Sequence, residues 1–209
     1  MSTNYKRELS KVEKEFLANS LKANPGVKTM VDYFTKEGFI AESQFNITKA
    51  VQLQTAEQGG TVTEVELGAT AYVWYSNFTH VEHPENIEQV IGVIVEDGKE
   101  KQYEVVNDSV QLINEAEVVE TAAKEDTVTP QDNCFIHGNW CGPGCSGPSA
   151  PVDATDRCCM NHDKCYEANG YFDCQCDWNV LDCLRGVSGF AAGIVRAYFV
   201  AAQVAGACS

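Results

Sequence analysis

Between Cys158 and Tyr166 the chain reads Cys-Cys-Met-Asn-His-Asp-Lys-Cys-Tyr, which sets an imidazole beside a carboxylate among three cysteines. An imidazole is well suited to moving a proton near neutral pH. Pro151-Val152-Asp153 precedes the segment as a helix-start signal. On such a helix Cys158 and Cys165 stand two turns apart on one face. A second stretch repeats the spacing through Cys176 and Cys183, and the connection at 167–173 is short and holds Asn169-Gly170. Short connections make antiparallel helical neighbours. Facing residues in such a pair share a nearly constant index sum, and Cys165–Cys176 and Cys158–Cys183 have the same sum. Two disulfides in that register would lock the hairpin. His162 then falls within about one turn of Asp177, whose carboxylate could fix the tautomer and stabilise the imidazolium.

Asp163 points about 100° around the helix from His162. Cys159 lies one turn away on the Asp163 face. A bond from Cys159 to Cys141 would dock the loop Asn139-Trp140-Cys141-Gly142-Pro143-Gly144 beside that carboxylate. Gly142 and Gly144 let backbone carbonyls turn inward without Cβ clashes. Carboxylate and carbonyl oxygens suit calcium, a hard cation. Calcium beside an imidazole base is an arrangement for metal-assisted hydrolysis of an ester. Two other readings compete. Cys-Cys-x-x-His-x-x-Cys could hold zinc, but zinc does not explain the matched spacings, the glycine loop or Asp163. A non-catalytic, membrane-active cysteine scaffold needs the cysteines, but not His162, Asp163 and Asp177 together.

Trp-Cys-Gly-Pro-Gly at 140–144, Cys-Cys-Met-Asn-His-Asp-Lys-Cys-Tyr at 158–166 and Cys-Gln-Cys-Asp with a closing cysteine at 174–183 together resemble the secreted phospholipase A2 family. The resemblance covers Cys134 to about Arg185. It implies that His162 activates a water against the sn-2 ester of a glycerophospholipid, that Asp177 orients His162, and that Tyr166 hydrogen-bonds Asp177. It implies calcium held by the Asp163 carboxylate and the carbonyls of Trp140, Gly142 and Gly144, with the Gly142 amide as oxyanion donor. It implies the disulfides Cys141–Cys159, Cys158–Cys183 and Cys165–Cys176, and a phospholipid bilayer or micelle surface as partner. The helix that commonly lines the family's acyl channel is missing before the loop, as is the β-wing between the helices.

These residues sit in a chain of 209 with net charge −15. Such acidity argues against nucleic acid, because phosphate binding needs a basic surface. Residues 1–133 carry 11 Lys and Arg against 23 Asp and Glu, so most of the acidity lies there. All ten cysteines lie from Cys134 onward. A small, cysteine-dense segment reads as a disulfide framework in an oxidising compartment. Met1 to Lys22 shows no apolar run of signal-peptide type, so an extracellular location would need an unidentified export route.

The expected fold class is α+β. Residues 5–22 read as one helix, and Val27 to Lys36 as a second that stops at Gly38, with Phe34 buried. β-rich runs follow at Ile47–Gln54, Val62–Tyr75, Glu88–Val95, Tyr103–Val106 and Val110–Ile113, with Asp97-Gly98 as a hairpin turn. Residues 1–114 hold no nucleophile–base cluster and read as a packing or binding module. His80 and His83, with Glu82 and Glu85, read as a solvated turn, and His137 as a solvated histidine. Residues 115–133 read as a linker, cleavable near Thr127 to Asn133, and 134–209 as a disulfide-stapled all-α domain. The apolar run Val187 to Ala207 reads as a third helix over the hairpin, with Phe190, Ile194 and Tyr198 forming an acyl-chain wall. Residues 1–114 are accordingly expected to act as a pro-region that inhibits the site intramolecularly.

Overall fold

The computed structural model describes residues 4–41, 44–118 and 134–207. Seven antiparallel strands form one meander in the order β1 to β7: β1 (Tyr5–Glu8), β2 (Asn46–Gln54), β3 (Gln58–Gly68), β4 (Ala71–His80), β5 (His83–Glu96), β6 (Lys99–Val106) and β7 (Ser109–Glu117). Helices α1 (Lys11–Ala23) and α2 (Pro25–Lys36) lie between β1 and β2 in sequence. After the sheet come α3 (Ala154–Asn169), α4 (Cys174–Arg185) and α5 (Phe190–Val204).

Both faces of the sheet are covered. Along β4, Ala71, Val73 and Tyr75 face α1 and α2, while Trp74 and Phe78 join a second core with the C-terminal helices. This is the two-residue period of a pleated strand buried on both sides. Helix α5 packs on β3, β4 and β5. Its Phe190 meets Trp74 edge-on at 6.3 Å, and its Tyr198 meets Phe78 at 6.5 Å. The acidic sheet and the cysteine-rich helices therefore share one hydrophobic core.

Polar links cross the same junction. The N-terminus of α5 lacks a side-chain cap of its own, and Gly189 N–H donates to Glu100 Oε2 at 3.0 Å. An acidic group there satisfies an orphan amide and complements the helix dipole. Buried Arg196 donates from Nη1 to Gln102 Oε1 and from Nη2 to Leu184 O at 2.7 Å. Burial pushes the Glu100 carboxyl pKa up, against hydrogen bonds from Gln102 and Gly189 and the charge of Arg196. Arg196 also explains why this apolar run is a core helix. No helix among the described residues is long and apolar enough to cross a membrane.

The elements depart from the sequence expectation in several places. The first helix starts at Lys11, because Ser10 and Glu13 form a capping box. Tyr5–Glu8 instead pairs with Val51–Gln54 as an edge strand. Val12 and Phe16 on this helix are exposed. The run Val62–Tyr75 divides into β3 and β4 at Ala69-Thr70, a tight turn with no Asn-Gly or Asp-Gly signal. β7 continues to Glu117, three residues into the expected linker. Residues 119–133, with the expected cleavage segment, lie outside the described residues.

A Cβ added at Gly193 of α5 would lie 2.9 Å from Trp74 Cε3, so helix and sheet touch closely there. Gly193→Val should lower stability by about 1–3 kcal/mol through overpacking. Thermal unfolding followed at the sheet and helix bands will check it. An unchanged midpoint would mean that α5 is not seated on Trp74.

Candidate functional site

Helices α3 and α4 form the expected antiparallel hairpin. Asp153 starts α3 by accepting from Asp156 N, and Asp173 starts α4 by accepting from Cys176 N at 3.0 Å. Cys158–Cys183 and Cys165–Cys176 join the two helices, with Cα separations of 5.8 and 5.6 Å. Cys141–Cys159 ties the loop to α3, and Cys134–Cys145 closes the loop on itself. Cys174 is also disulfide-bonded, and no described cysteine is free. Cys208 lies outside the described residues. Cys158, Cys159 and Cys165 are thus spent as disulfides, which removes the thiolates that the zinc reading required.

His162 is 7% exposed and its Nε2 lies 2.8 Å from Asp177 Oδ1. Tyr166, one turn further along α3, donates its hydroxyl to the same Asp177 oxygen at 2.7 Å. With Nε2–H directed at Asp177, the neutral ring keeps its lone pair on Nδ1. Nδ1 lies 3.8 Å from Asp163 Oδ1. Phe199 packs edge-on against the imidazole at 4.6 Å. Burial pulls the His162 pKa down, but the Asp163 and Asp177 carboxylates outweigh it and leave the ring more basic than an ordinary histidine. Burial and the Asp177 hydrogen bond push the Tyr166 phenol up, so it stays a donor.

The loop is built around a residue that sequence reasoning missed. The fully buried Asp156 carboxyl accepts from Asn139 N at 3.0 and 3.1 Å, Trp140 N at 2.8 Å and Val152 N at 2.9 Å. Gly138 makes room for it, since a Cβ there would fall 2.3 Å from Asp156 Cγ. The sequence reading did not single out Asp156, whose one local signal is its place three residues after the N-cap Asp153. Trp140 Nε1 donates to Ser149 O at 2.8 Å, which holds the far side of the loop. Gly142, at φ 128°, turns where a Cβ would lie 2.9 Å from Ile136 N.

Trp140, Gly142, Gly144, His162, Asp163 and Asp177 all line one pocket of about 340 Å³. Asp163 Oδ2 is buried there and has no hydrogen-bond partner among the described residues. A buried carboxylate oxygen without a donor is costly, and beside a carbonyl-bearing loop it fits a hard cation. No cluster of three or more His, Cys, Asp or Glu side chains suited to a metal occurs among the described residues. A cation here would rest on one carboxylate and on carbonyls.

Three expectations need correction. The wall contributed by α5 is Val195, Tyr198, Phe199 and Ala202, while Phe190 packs on Trp74 and Ile194 is buried away from the pocket lining. His137 is not solvated: its Nε2 lies 2.6 Å from Asp153 Oδ2, with the ring 23% exposed. His80, read as part of a solvated turn, is 5% exposed and lines the pocket.

A probable phospholipase A2 homolog 2 of Oryza sativa subsp. japonica is 41% identical over 58 residues, covering 25% of this chain and 37% of that protein. A basic phospholipase A2 of Micrurus mipartitus is 54% identical over 39 residues, 18% of this chain and 31% of its own. The group IIC secretory phospholipase A2 of Mus musculus is 51% identical over 41 residues, 20% of this chain and 26% of its own. The likeness lies in the C-terminal part, which is recognised as similar to the secreted phospholipase A2 family. The chain spans about a third of the length of these curated relatives. No model of a protein family matches the chain, and no solved structure matches it.

Asp156→Ala would leave four hydrogen bonds to the loop and helix start unmade. It should cost about 3 kcal/mol or more, read as a lowered thermal midpoint, and retention of the wild-type midpoint would refute this role. The His137–Asp153 pair should also give a pH signature. Burial opposes charging of both, but each raises the other's preference for its charged form, so the His137 pKa is raised and the Asp153 pKa lowered. The histidine's contribution is complete below its ordinary value of about 6.5 and is lost as pH rises through the raised folded value. The aspartate's contribution is present above about 3.9 and is lost as pH falls through the lowered folded value. The midpoint difference between wild type and His137→Gln should therefore be larger near pH 5.5 than near pH 9. Equal differences at both would contradict the pairing.

Proposed function

We propose that this protein hydrolyses the sn-2 ester of glycerophospholipids in a calcium-dependent reaction, releasing fatty acid and lysophospholipid. The observation that carries the reading is the direction of His162: Nε2 is committed to Asp177, and Nδ1 faces the Asp163 side of the pocket. That geometry suits a general base that takes a proton from water at Nδ1 and holds it while Asp177 stabilises the imidazolium. Tyr166 keeps Asp177 oriented through its short hydrogen bond. Phe199, Val195 and Ala202 give the pocket an apolar wall suited to an acyl chain.

Asp163, with the carbonyls of Trp140, Gly142 and Gly144, is the ligand set proposed for calcium, and its orphaned Oδ2 supports that choice. Bound there, the ion supplies Lewis-acid stabilisation of charge developing on the ester oxygen. The Gly142 amide is proposed as a second donor to the same oxygen. A phospholipid surface is the proposed partner, and Tyr171 and Phe172 support it as exposed aromatic side chains at the pocket mouth. The disulfide-rich helices support an oxidising and, in our proposal, extracellular setting.

The test is fatty-acid release from mixed phospholipid vesicles by the oxidised full-length chain, with calcium and with chelator. Release confined to the sn-2 position and abolished by chelator is expected. His162→Gln should lower the rate at least about a thousandfold with the thermal midpoint kept near wild type. Vesicle lysis without fatty-acid release, surviving His162→Gln, would replace the enzyme reading with the membrane-active scaffold.

A further inference from the structure

The pocket that holds His162 is not closed by the cysteine-rich helices alone. Glu57 and Gln58, at the turn from β2 to β3, and His80, at the end of β4, line it from the sheet side. This end of the sheet is rigidly built. Buried Thr55 accepts through Oγ1 from Glu57 N at 3.2 Å and Gln58 N at 3.1 Å, and donates to Gln58 O at 3.1 Å. Val81 N–H donates to Glu57 O at 2.8 Å, so the two neighbouring turns are tied together. Gln58 Nε2 donates to Tyr198 O at 3.1 Å, one residue before the Phe199 ring that packs on His162.

The three side chains offer distinct chemistry. Gln58 is 3% exposed, and its Oε1 accepts no hydrogen bond among the described residues. His80 Nδ1 accepts from Glu82 N at 3.0 Å, which leaves Nε2–H as the donor of a neutral ring. Glu57 is exposed. With Asp163, Glu167 and Asp177 it gives the lining four carboxylates, and no Lys or Arg stands among the described lining residues. Asp163 is the proposed calcium ligand and Asp177 holds His162, so the exposed Glu57 and Glu167 are the lining charges that disfavour an anionic headgroup and favour a cationic one.

We propose that this end of the N-terminal sheet is a substrate-selecting wall of the pocket, with Glu57 favouring phospholipids whose headgroup carries an ammonium over those with an anionic headgroup. The inference rests on the phospholipase reading above and deepens it. It also assigns residues 1–117 to the working enzyme, in place of the detachable inhibitory cover that the sequence suggested. Pulling the sheet away would strip Trp74 and Phe78 from α5 and leave Arg196 and the α5 N-terminus without Gln102 and Glu100. Uncovered apolar rings and unpaired buried polar groups both oppose that separation.

The experiment uses the oxidised full-length chain with calcium and two probes in neutral detergent micelles. The probes are sn-2 amide analogues, which resist hydrolysis, with choline or glycerol headgroups. Binding is read by intrinsic tryptophan fluorescence, and kcat/KM is measured on the matching ester substrates. Glu57→Lys should shift the choline-to-glycerol ratio toward glycerol by about fivefold in both readouts, and Glu57→Gln should shift it part of the way. Ratios that stay within twofold of wild type would overturn the wall. So would a Glu57→Lys chain that gains activity equally on both headgroups, which is the signature of a loosened cover. Wild type that binds the analogues with the expected ratio but releases no fatty acid would refute the hydrolase reading and leave the wall standing.

Discussion

Two disulfides at matching seven-residue intervals hold α3 against α4 in a single register, and the arrangement of the site depends on that constraint. A helix hairpin of this length has little apolar surface between its helices, because several facing positions are cysteines. Covalent links replace the missing packing and restrict the unfolded chain. The same register sets Asp177 opposite His162, so the bonds that stabilise the hairpin also fix the imidazole's direction. Cys141–Cys159 extends the constraint to the glycine loop, whose Trp140, Gly142 and Gly144 line the same pocket as Asp163.

What the disulfides leave open is the back of the hairpin, and α5 fills it. Alanine, glycine and branched apolar residues run nearly all round this helix, which suits burial on two sides rather than one. One side meets the hairpin and carries Phe199 to the imidazole. The other lies on the sheet, where Gly193 lets the backbone approach Trp74. The sheet therefore supports the site through α5 and touches the pocket directly at one end.

Buried polar groups give that junction its specificity. Arg196 bridges Gln102 of β6 and the end of α4, while Glu100 of the same strand caps α5. Apolar packing alone tolerates sliding of a helix on a sheet. A buried guanidinium and a helix N-terminus whose N–H groups need partners in fixed places do not. Asp156 plays the comparable part for the loop, where one carboxyl gathers three separate backbone amides.

The grouping of side chains at the candidate site was legible in the sequence because it is local. His162, Asp163 and Tyr166 share one helical segment, and matched cysteine spacings supply the register that adds Asp177. The antiparallel sheet was legible through two-residue periodicity and the Asp97-Gly98 turn, although the β3–β4 turn lacks any comparable residue signal. Tertiary structure alone decided the rest. Capping of α1 at Ser10 and edge pairing converted Tyr5–Glu8 from helix to strand. Nothing near Glu57, Gln58 or His80 in sequence reveals that they reach a pocket whose other lining residues lie more than fifty residues further along the chain. His137 gained its partner and Asp156 its amides only when the loop folded over the start of α3. The periodicity of a chain reports which face of an element is buried, but the identity of what buries it is set by long-range packing.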